Sequence, residues 1–260
     1  GATGKAGRNL PQAITTAVVL IVAVAVPLFT SLPAFVRVIG FVCLVGIWEL
    51  AGAFARMGIT LTVTPLYVGA IGMITCAWWL GSEGTLFALY ITVFVCAAWR
   101  LLDRRQESRM SDVVSSTFTA VYVPFLASFV VLMLAAWRDP WVFVVFELMV
   151  IANDTGGWAA GVLFGKHPMA PALSPKKSWE GFAGSAATAV GVGCVGLWLL
   201  GAAWWWGIVA GVSIAFVGTM GDLTESLIKR ESGLKDMSHI LPGHGGVLDR
   251  VDALLMSAPV

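Results

Sequence analysis

Residues Ser226 to Asp252 read SLIKRESGLKDMSHILPGHGGVLDRVD. Four carboxylates, four lysines or arginines and two histidines crowd this run, in a chain that is 58% hydrophobic and 12% charged. Soluble domains carry about 25% charged residues. Charge beside hydrocarbon is costly. An oily chain that keeps such a run uses it on something charged, and phosphate with a metal ion is the leading candidate. The run must also lie outside the hydrocarbon, which sets the reading of everything before it.

Upstream, hydropathy gives eight segments, 11–30, 34–55, 59–80, 84–99, 113–136, 140–163, 183–201 and 203–221. Each is near the ~20 residues a helix needs to cross a bilayer. A ninth begins near Val251 and is expected to be truncated, because the chain stops at Val260. The first segment is expected to be a true span rather than a signal peptide, since seven more follow and no small-residue cleavage site stands out. The start, GATGKAG, reads as a trimmed end. Twelve Trp and 29 Gly suit a membrane protein, where Trp anchors at the interface and Gly lets helices approach.

Loop charges set the orientation. With the N-terminus inside, the inner segments hold Lys5, Arg8, Arg56, Arg100, Arg104, Arg105, Arg109, Lys166, Lys176, Lys177, Lys229, Arg230, Lys235 and Arg250, and only Arg37 and Arg138 fall outside. That bias follows the positive-inside rule. The expected fold is an all-α, polytopic integral membrane helical bundle with eight spans, a truncated ninth and a cytoplasmic N-terminus. Cys43, Cys76, Cys96 and Cys194 all lie in apolar segments and read as small buried hydrophobes.

The chain divides by composition near residue 110. Residues 1–110 hold few ionisable groups inside their spans and read as scaffold, with Glu49 alone in an apolar stretch. Residues 111–260 carry the polar clusters and read as the catalytic membrane domain. The basic stretch Arg100 to Asp112 reads as a topogenic, lipid-facing loop, with binding of anionic headgroups as the alternative. Gly157, Gly161 and Gly165 recur every four residues, so they share one helix face and allow close packing. No internal repeat of the kind found in inverted-repeat transporters stands out.

Three groups carry the chemistry. In VGTMGDLTESLIKR, a helix that continues inward places Asp222, Glu225, Ser226 and Lys229 on one stripe. This suits a metal and phosphate face, or a solvated helix end with Glu225 paired to Lys229. Asp249 and Asp252 open the ninth helix, where acidic residues complement the dipole. Gly245 and Gly246 just before them can present bare N–H groups to an anion. Asn153 and Asp154 lie inside the sixth span, where an ionisable residue points to function. Lys176 and Lys177 sit in FGKHPMAPALSPKKSWE, where Pro175 and Trp179 suggest a fixed shape suited to gripping phosphate. The oxygen-rich acidic set suits Mg2+. No Cys and His set suits zinc, no phosphate-binding P-loop is present, and no nucleophile elbow appears.

These residues carry a resemblance. S-L-I-K-R, then K-D, then L-P-G-H-G-G-V-L-D-R-V-D is similar to the signature of phosphatidate cytidylyltransferases, also called CDP-diacylglycerol synthases. LSPKKSWEGF and NDTGGWAAGVLFGK look like that family too, so the resemblance spans 151–252. It implies a membrane enzyme that joins CTP and phosphatidic acid, giving CDP-diacylglycerol and pyrophosphate. It also implies Mg2+ with a second cation such as K+, a homodimer, and metal ligands at Asp222 and Asp249. Asp154 and Asp252 are expected as further ligands. Lys229, Arg230, His244 and Arg250 are expected to act on CTP and the leaving pyrophosphate. Ser174, Lys176, Lys177, Asn153, Ser226, Lys235, Gly245 and Gly246 are expected to bind substrate. The expected place is the plasma membrane with the site on its cytoplasmic side, and no nucleic-acid partner is expected. Two rival readings are a CTP-dependent polyprenol kinase and a transporter with an intramembrane acidic site.

Overall fold

A helix covers most of each of the eight apolar segments in the computed structural model, which describes residues 10–103, 110–170, 174–234, 236–238, 240–241 and 245–260. They are α1 (Leu10–Thr30), α2 (Leu32–Arg56), α3 (Val63–Trp79), α4 (Gly81–Leu102), α5 (Met110–Trp137), α6 (Pro140–Phe164), α7 (Trp179–Leu199) and α8 (Trp206–Ser232). A short α9 (Leu248–Ser257) follows. Among the described residues, six of them, α2 and α4 to α8, are long and apolar enough to cross a membrane. Exposed side chains such as Val18 and Ile21 on α1 and Phe87, Tyr90 and Phe94 on α4 give the bundle an oily exterior, as a lipid-facing surface requires. The chain is a helical multi-pass membrane protein.

The structure departs from the sequence reading in two places. The segment expected as a loop after α6 folds in part into a hairpin, β1 (Pro168–Ala170) antiparallel to β2 (Ser174–Ser178), with Pro168 opposite Ser178 and Ala170 opposite Ser174. Prolines donate no ladder hydrogen bond, and the pairing is irregular between Pro168 and Ala170. Of the stretch expected as a lipid-facing loop, residues 104–109 lie outside the described residues, while Arg100 at its start is 3% exposed. Its Nε and Nη2 donate to Asp112 Oδ2 at 2.8 and 2.5 Å, and Asp112 Oδ1 accepts from the Thr60 N–H at 2.9 Å. A charged group in an oily bundle is kept only when paired, and this pairing ties the end of α4 to the starts of α3 and α5.

At the other end of the bundle Arg138 lies over the Trp78 ring at 4.3 Å, and Phe29 meets Trp141 edge-on. Midway along α5 the helix widens into a π turn at Val121–Phe125. Pro124 lies in this turn, and the Leu126 N–H reaches back to the Val121 carbonyl. The main core joins Ile47 and Leu50 of α2, Leu66 of α3, Val123 and Leu134 of α5, and Leu248 and Leu255 of α9. A smaller one joins Met149 and Val150 of α6 to Ile214 of α8 and Ala253 of α9.

Candidate active site

The polar end of α8 is helical through Ser232, where Gly233 turns left-handed at φ 68° and closes the helix. Asp222, Glu225, Ser226 and Lys229 therefore share one stripe, and each end of it is gripped by another element. Lys177 on β2 pairs its ammonium with Asp222. Lys229 Nζ lies 2.7 Å from Glu225 Oε1 and 2.6 Å from Asp249 Oδ1, so it bridges α8 and α9. Glu225 is thus paired with Lys229, but it is buried rather than solvated.

The Asp249 side chain is 3% exposed. It accepts from the N–H of Gly246 at 2.7 Å and of Met237 at 3.0 Å. Burial alone would raise its carboxyl, but hydrogen bonding with Glu225, Lys229 and the Gly246 N–H outweighs that and holds it below its ordinary range.

Lys177 owes its place to a small-residue seam. A Cβ on Gly156 would lie 2.1 Å from Thr188 Oγ1, and one on Gly157 2.3 Å from Ser185 Oγ. Only glycine lets α6 and α7 come so near. Ser185 and Thr188 then donate across the seam to the carbonyls of Asn153 and Ala152, each at 2.7 Å. At the top of α7, Ser178 Oγ caps the helix by accepting from the Gly181 N–H at 3.1 Å. Glu180 accepts from the N–H groups of Lys166 and His167 and meets His167 Nδ1 at 2.6 Å. The hairpin carrying Lys177 is anchored at its base.

The loop before α9 is held from a distant helix. Glu49 of α2 is 1% exposed. It accepts from Ser238 Oγ at 2.5 Å, from the Val247 N–H at 2.8 Å and from the Leu248 N–H at 2.7 Å. Gly245 takes φ 83° and exchanges backbone hydrogen bonds with Leu241. A Cβ on Gly246 would lie 2.6 Å from Glu49 Oε1. The N–H groups expected to face an anion thus donate within the chain, Gly245 to Leu241 and Gly246 to Asp249.

Other expected residues fall around this centre. Asn153 is buried, donates to Asp154 Oδ1 at 3.1 Å and leaves its own Oδ1 without a partner among the described residues. Asp154 is exposed on α6, close enough for Asp222, Asp252 and Lys177 to act on its charge. Asp252 is buried on α9, one turn beyond Asp249. Ser174 and Lys176 lie on β2, and Ser226 is half-buried on α8. Arg230 and Arg250 are exposed. Lys235 and His244 lie outside the described residues.

Sequence reasoning missed two residues around the site, Glu49 and Tyr122, and left the role of a third, Glu225, open. Glu49 was marked only by being a carboxylate in an apolar span. Glu225 was marked by helical spacing, which left open a solvated helix end. The Tyr122 hydroxyl, buried in the π turn with no partner among the described residues and near Asp222, Glu225 and Asp252, had no local signal.

The donor set fits a hard divalent cation. All its side chains are carboxylates, and two lysine ammoniums already stand against them as cations. Among the described residues no three Asp, Glu, His or Cys side chains form a ready-made metal cage. Mg2+ asks for none, since it binds one or two carboxylates and takes the rest of its sphere from water and substrate phosphates.

Comparison with known proteins points the same way. The chain is 38% identical to the phosphatidate cytidylyltransferase of Mycobacterium bovis, over 98% of this chain and 88% of that protein. It is 34% identical to the one of Mycobacterium leprae, over 99% and 88%. With the Haemophilus influenzae protein of that name it shares 39% identity over 53% of this chain and 51% of that one. The model of the cytidylyltransferase family matches residues 11–260, and the chain belongs to that family.

Proposed function

We propose that the chain transfers the cytidylyl group of CTP to phosphatidic acid, giving CDP-diacylglycerol and pyrophosphate. The observation that carries this is the pair of lysine–carboxylate contacts, Lys177 with Asp222 and Lys229 with Asp249, which join a hairpin, α8 and α9 in one polar site at the end of an oily bundle. A polar site at the edge of hydrocarbon suits a reaction between a water-soluble nucleotide and a lipid headgroup. Relatives named phosphatidate cytidylyltransferase that match nearly the whole chain support the same substrates over a polyprenol kinase or a transporter.

In this reading a phosphate oxygen of phosphatidic acid attacks the α-phosphorus of CTP. A new P–O–P linkage forms, the bond from the α-phosphorus to the bridging oxygen breaks, and pyrophosphate leaves with the electron pair. The attacking phosphate is already anionic near neutral pH, so no general base is required. Positioning and charge neutralisation do most of the work in such transfers. Asp222 and Asp249 would hold Mg2+, with Asp154 and Asp252 as further ligands and a second cation such as K+ beside them. When bound, Mg2+ neutralises phosphate charge and strengthens the leaving group.

The chain's own cations do the rest. Lys177, with Lys176 and Ser174 on the same strand, holds the lipid phosphate at the membrane edge. Lys229, Arg230, Arg250, Lys235 and His244 orient the triphosphate, with Ser226, Asn153, Gly245 and Gly246 shaping its pocket. Fourteen of the 16 lysines and arginines fall on one side of an eight-span, N-terminus-inside arrangement. That distribution supports a cytoplasmic site in the plasma membrane, where CTP is available. We also propose a homodimer, and residues 111–260 as the catalytic part.

Purified protein in lipid vesicles, given labelled CTP, phosphatidic acid and Mg2+, should move label into a lipid-soluble CDP product. Wild-type protein that makes none overturns the reading. Full activity in both Asp222→Asn and Asp249→Asn overturns the metal assignment alone.

A further inference from the structure

We infer that Glu49, a residue of the N-terminal helices, is the positioning residue that sets the metal ligand Asp249 and the loop before it. The inference rests on the cytidylyl-transfer reading of the site. Helix α9 begins with N–H groups that no helical carbonyl satisfies, and Val247 caps it with no side-chain bond. The usual remedies are a local Ser, Thr, Asp or Asn, water, or a bound anion. Here the remedy comes from another helix. The two carboxylate oxygens of Glu49 divide the job, Oε1 accepting from the Val247 N–H and Oε2 from the Leu248 N–H.

The same carboxylate also accepts from Ser238 Oγ on the incoming arm of the loop. One side chain thus fixes the chain at two places, before and after the bridge between Leu241 and Gly245. Asp249 is the residue after Leu248. Its own carboxylate is held by the N–H groups of Gly246 and Met237, which belong to the arms that Glu49 fixes. Gly246 completes the arrangement, because any Cβ there would strike Glu49. The α9 terminus therefore does not wait for a substrate phosphate. The protein's own carboxylate fills it, and the binding charge of the site falls to its cationic side chains.

Such buried carboxylates next to a ligand act on metal affinity at a distance, where loss costs about 10- to 100-fold. The experiment measures Mn2+ binding to the purified chain by electron paramagnetic resonance, with no CTP or lipid present. Melting and steady-state kinetics in CTP are measured alongside. Glu49→Gln keeps the shape and is expected to weaken Mn2+ binding about tenfold or more. It should raise the CTP KM more than it lowers kcat in a variant that still melts cooperatively, at a somewhat lower temperature because one buried backbone N–H loses its acceptor. Glu49→Asp should recover part of the metal affinity.

Should Glu49→Gln fail to fold, Gly246→Ala tests the same contact from the other side and is expected to weaken Mn2+ binding likewise. Unchanged Mn2+ affinity in the folded variants, or wild-type protein that binds no Mn2+, overturns the inference. Mn2+ binding that depends on Glu49 in a chain that makes no CDP-lipid leaves Glu49 as a positioning residue and overturns only the choice of substrates.

Discussion

The two sides of the site are held by opposite means. On the Lys177 side, α6 and α7 meet through glycine, serine and threonine, and backbone lies almost against backbone. On the Asp249 side, carboxylates grip backbone N–H groups, Glu49 on α9 and Asp249 on its own approaching loop. The seam gets its rigidity from shape, and missing side chains are its main device. The grip gets its rigidity from hydrogen bonds to charged acceptors, which are stronger than neutral ones. A seam has little tolerance for added volume, and a grip has little tolerance for lost oxygens.

The largest expected effect tests whether these are two sides of one site. Asp222→Asn disturbs the partner of Lys177, and Asp249→Asn the partner of Lys229. Each should lower turnover by at least about 100-fold, the scale of losing one well-placed electrostatic group. Labelled-CTP assays on the two variants measure this. If Asp222→Asn keeps wild-type turnover while Asp249→Asn is dead, the seam side carries no chemistry and the comparison collapses to a single centre.

A smaller effect separates shape from charge. Gly156→Ala puts a methyl 2.1 Å from Thr188 Oγ1 and 2.8 Å from the Gly184 carbonyl oxygen. Overpacking of this kind costs about 1–3 kcal/mol. Gly191→Ala, on the facing α7 with nothing within 4 Å, is the control and should melt at or slightly above the wild type, because alanine favours a helix over glycine. Thermal melts of the two variants in one detergent give the answer. Equal melting temperatures would mean that the seam is loose and that Lys177 is positioned by the hairpin alone.

How much of this was legible in the sequence follows from the same contrast. Helical periodicity is local, so the stripe Asp222, Glu225, Ser226, Lys229 and the glycine face of α6 could be read from spacing alone. Hydropathy found the eight helices for the same reason. The ends were less legible. Continuation of α8 to Ser232 was conditional on a polar stretch staying helical, and what stops it is the left-handed Gly233. The hairpin was hidden because two prolines mask strand character. Glu49 was hidden because its partners lie 189, 198 and 199 residues away. The sequence shows a carboxylate in an oily helix, which demands a partner, but it cannot say which backbone supplies it.

The smallest expected effect concerns Tyr122, which belongs to neither side by its contacts. Its ring stacks on Phe118 with centroids 5.1 Å apart, and its neighbour Val123 packs where Gly46 leaves room beside Leu248 at the start of α9. The π turn thus backs the grip through apolar packing. The hydroxyl adds nothing to that packing and has no partner among the described residues. An unpaired buried hydroxyl costs about 1–3 kcal/mol of desolvation, and Phe keeps the ring. Tyr122→Phe should therefore melt at or up to a few degrees above the wild type, as a gain of about 1 kcal/mol implies for a chain of this size. A clear drop in melting temperature would mean that the hydroxyl is bonded to an ordered water or to one of the nearby carboxylates. In that case the grip around Asp249 extends into α5, and charge rather than apolar shape holds that wall as well.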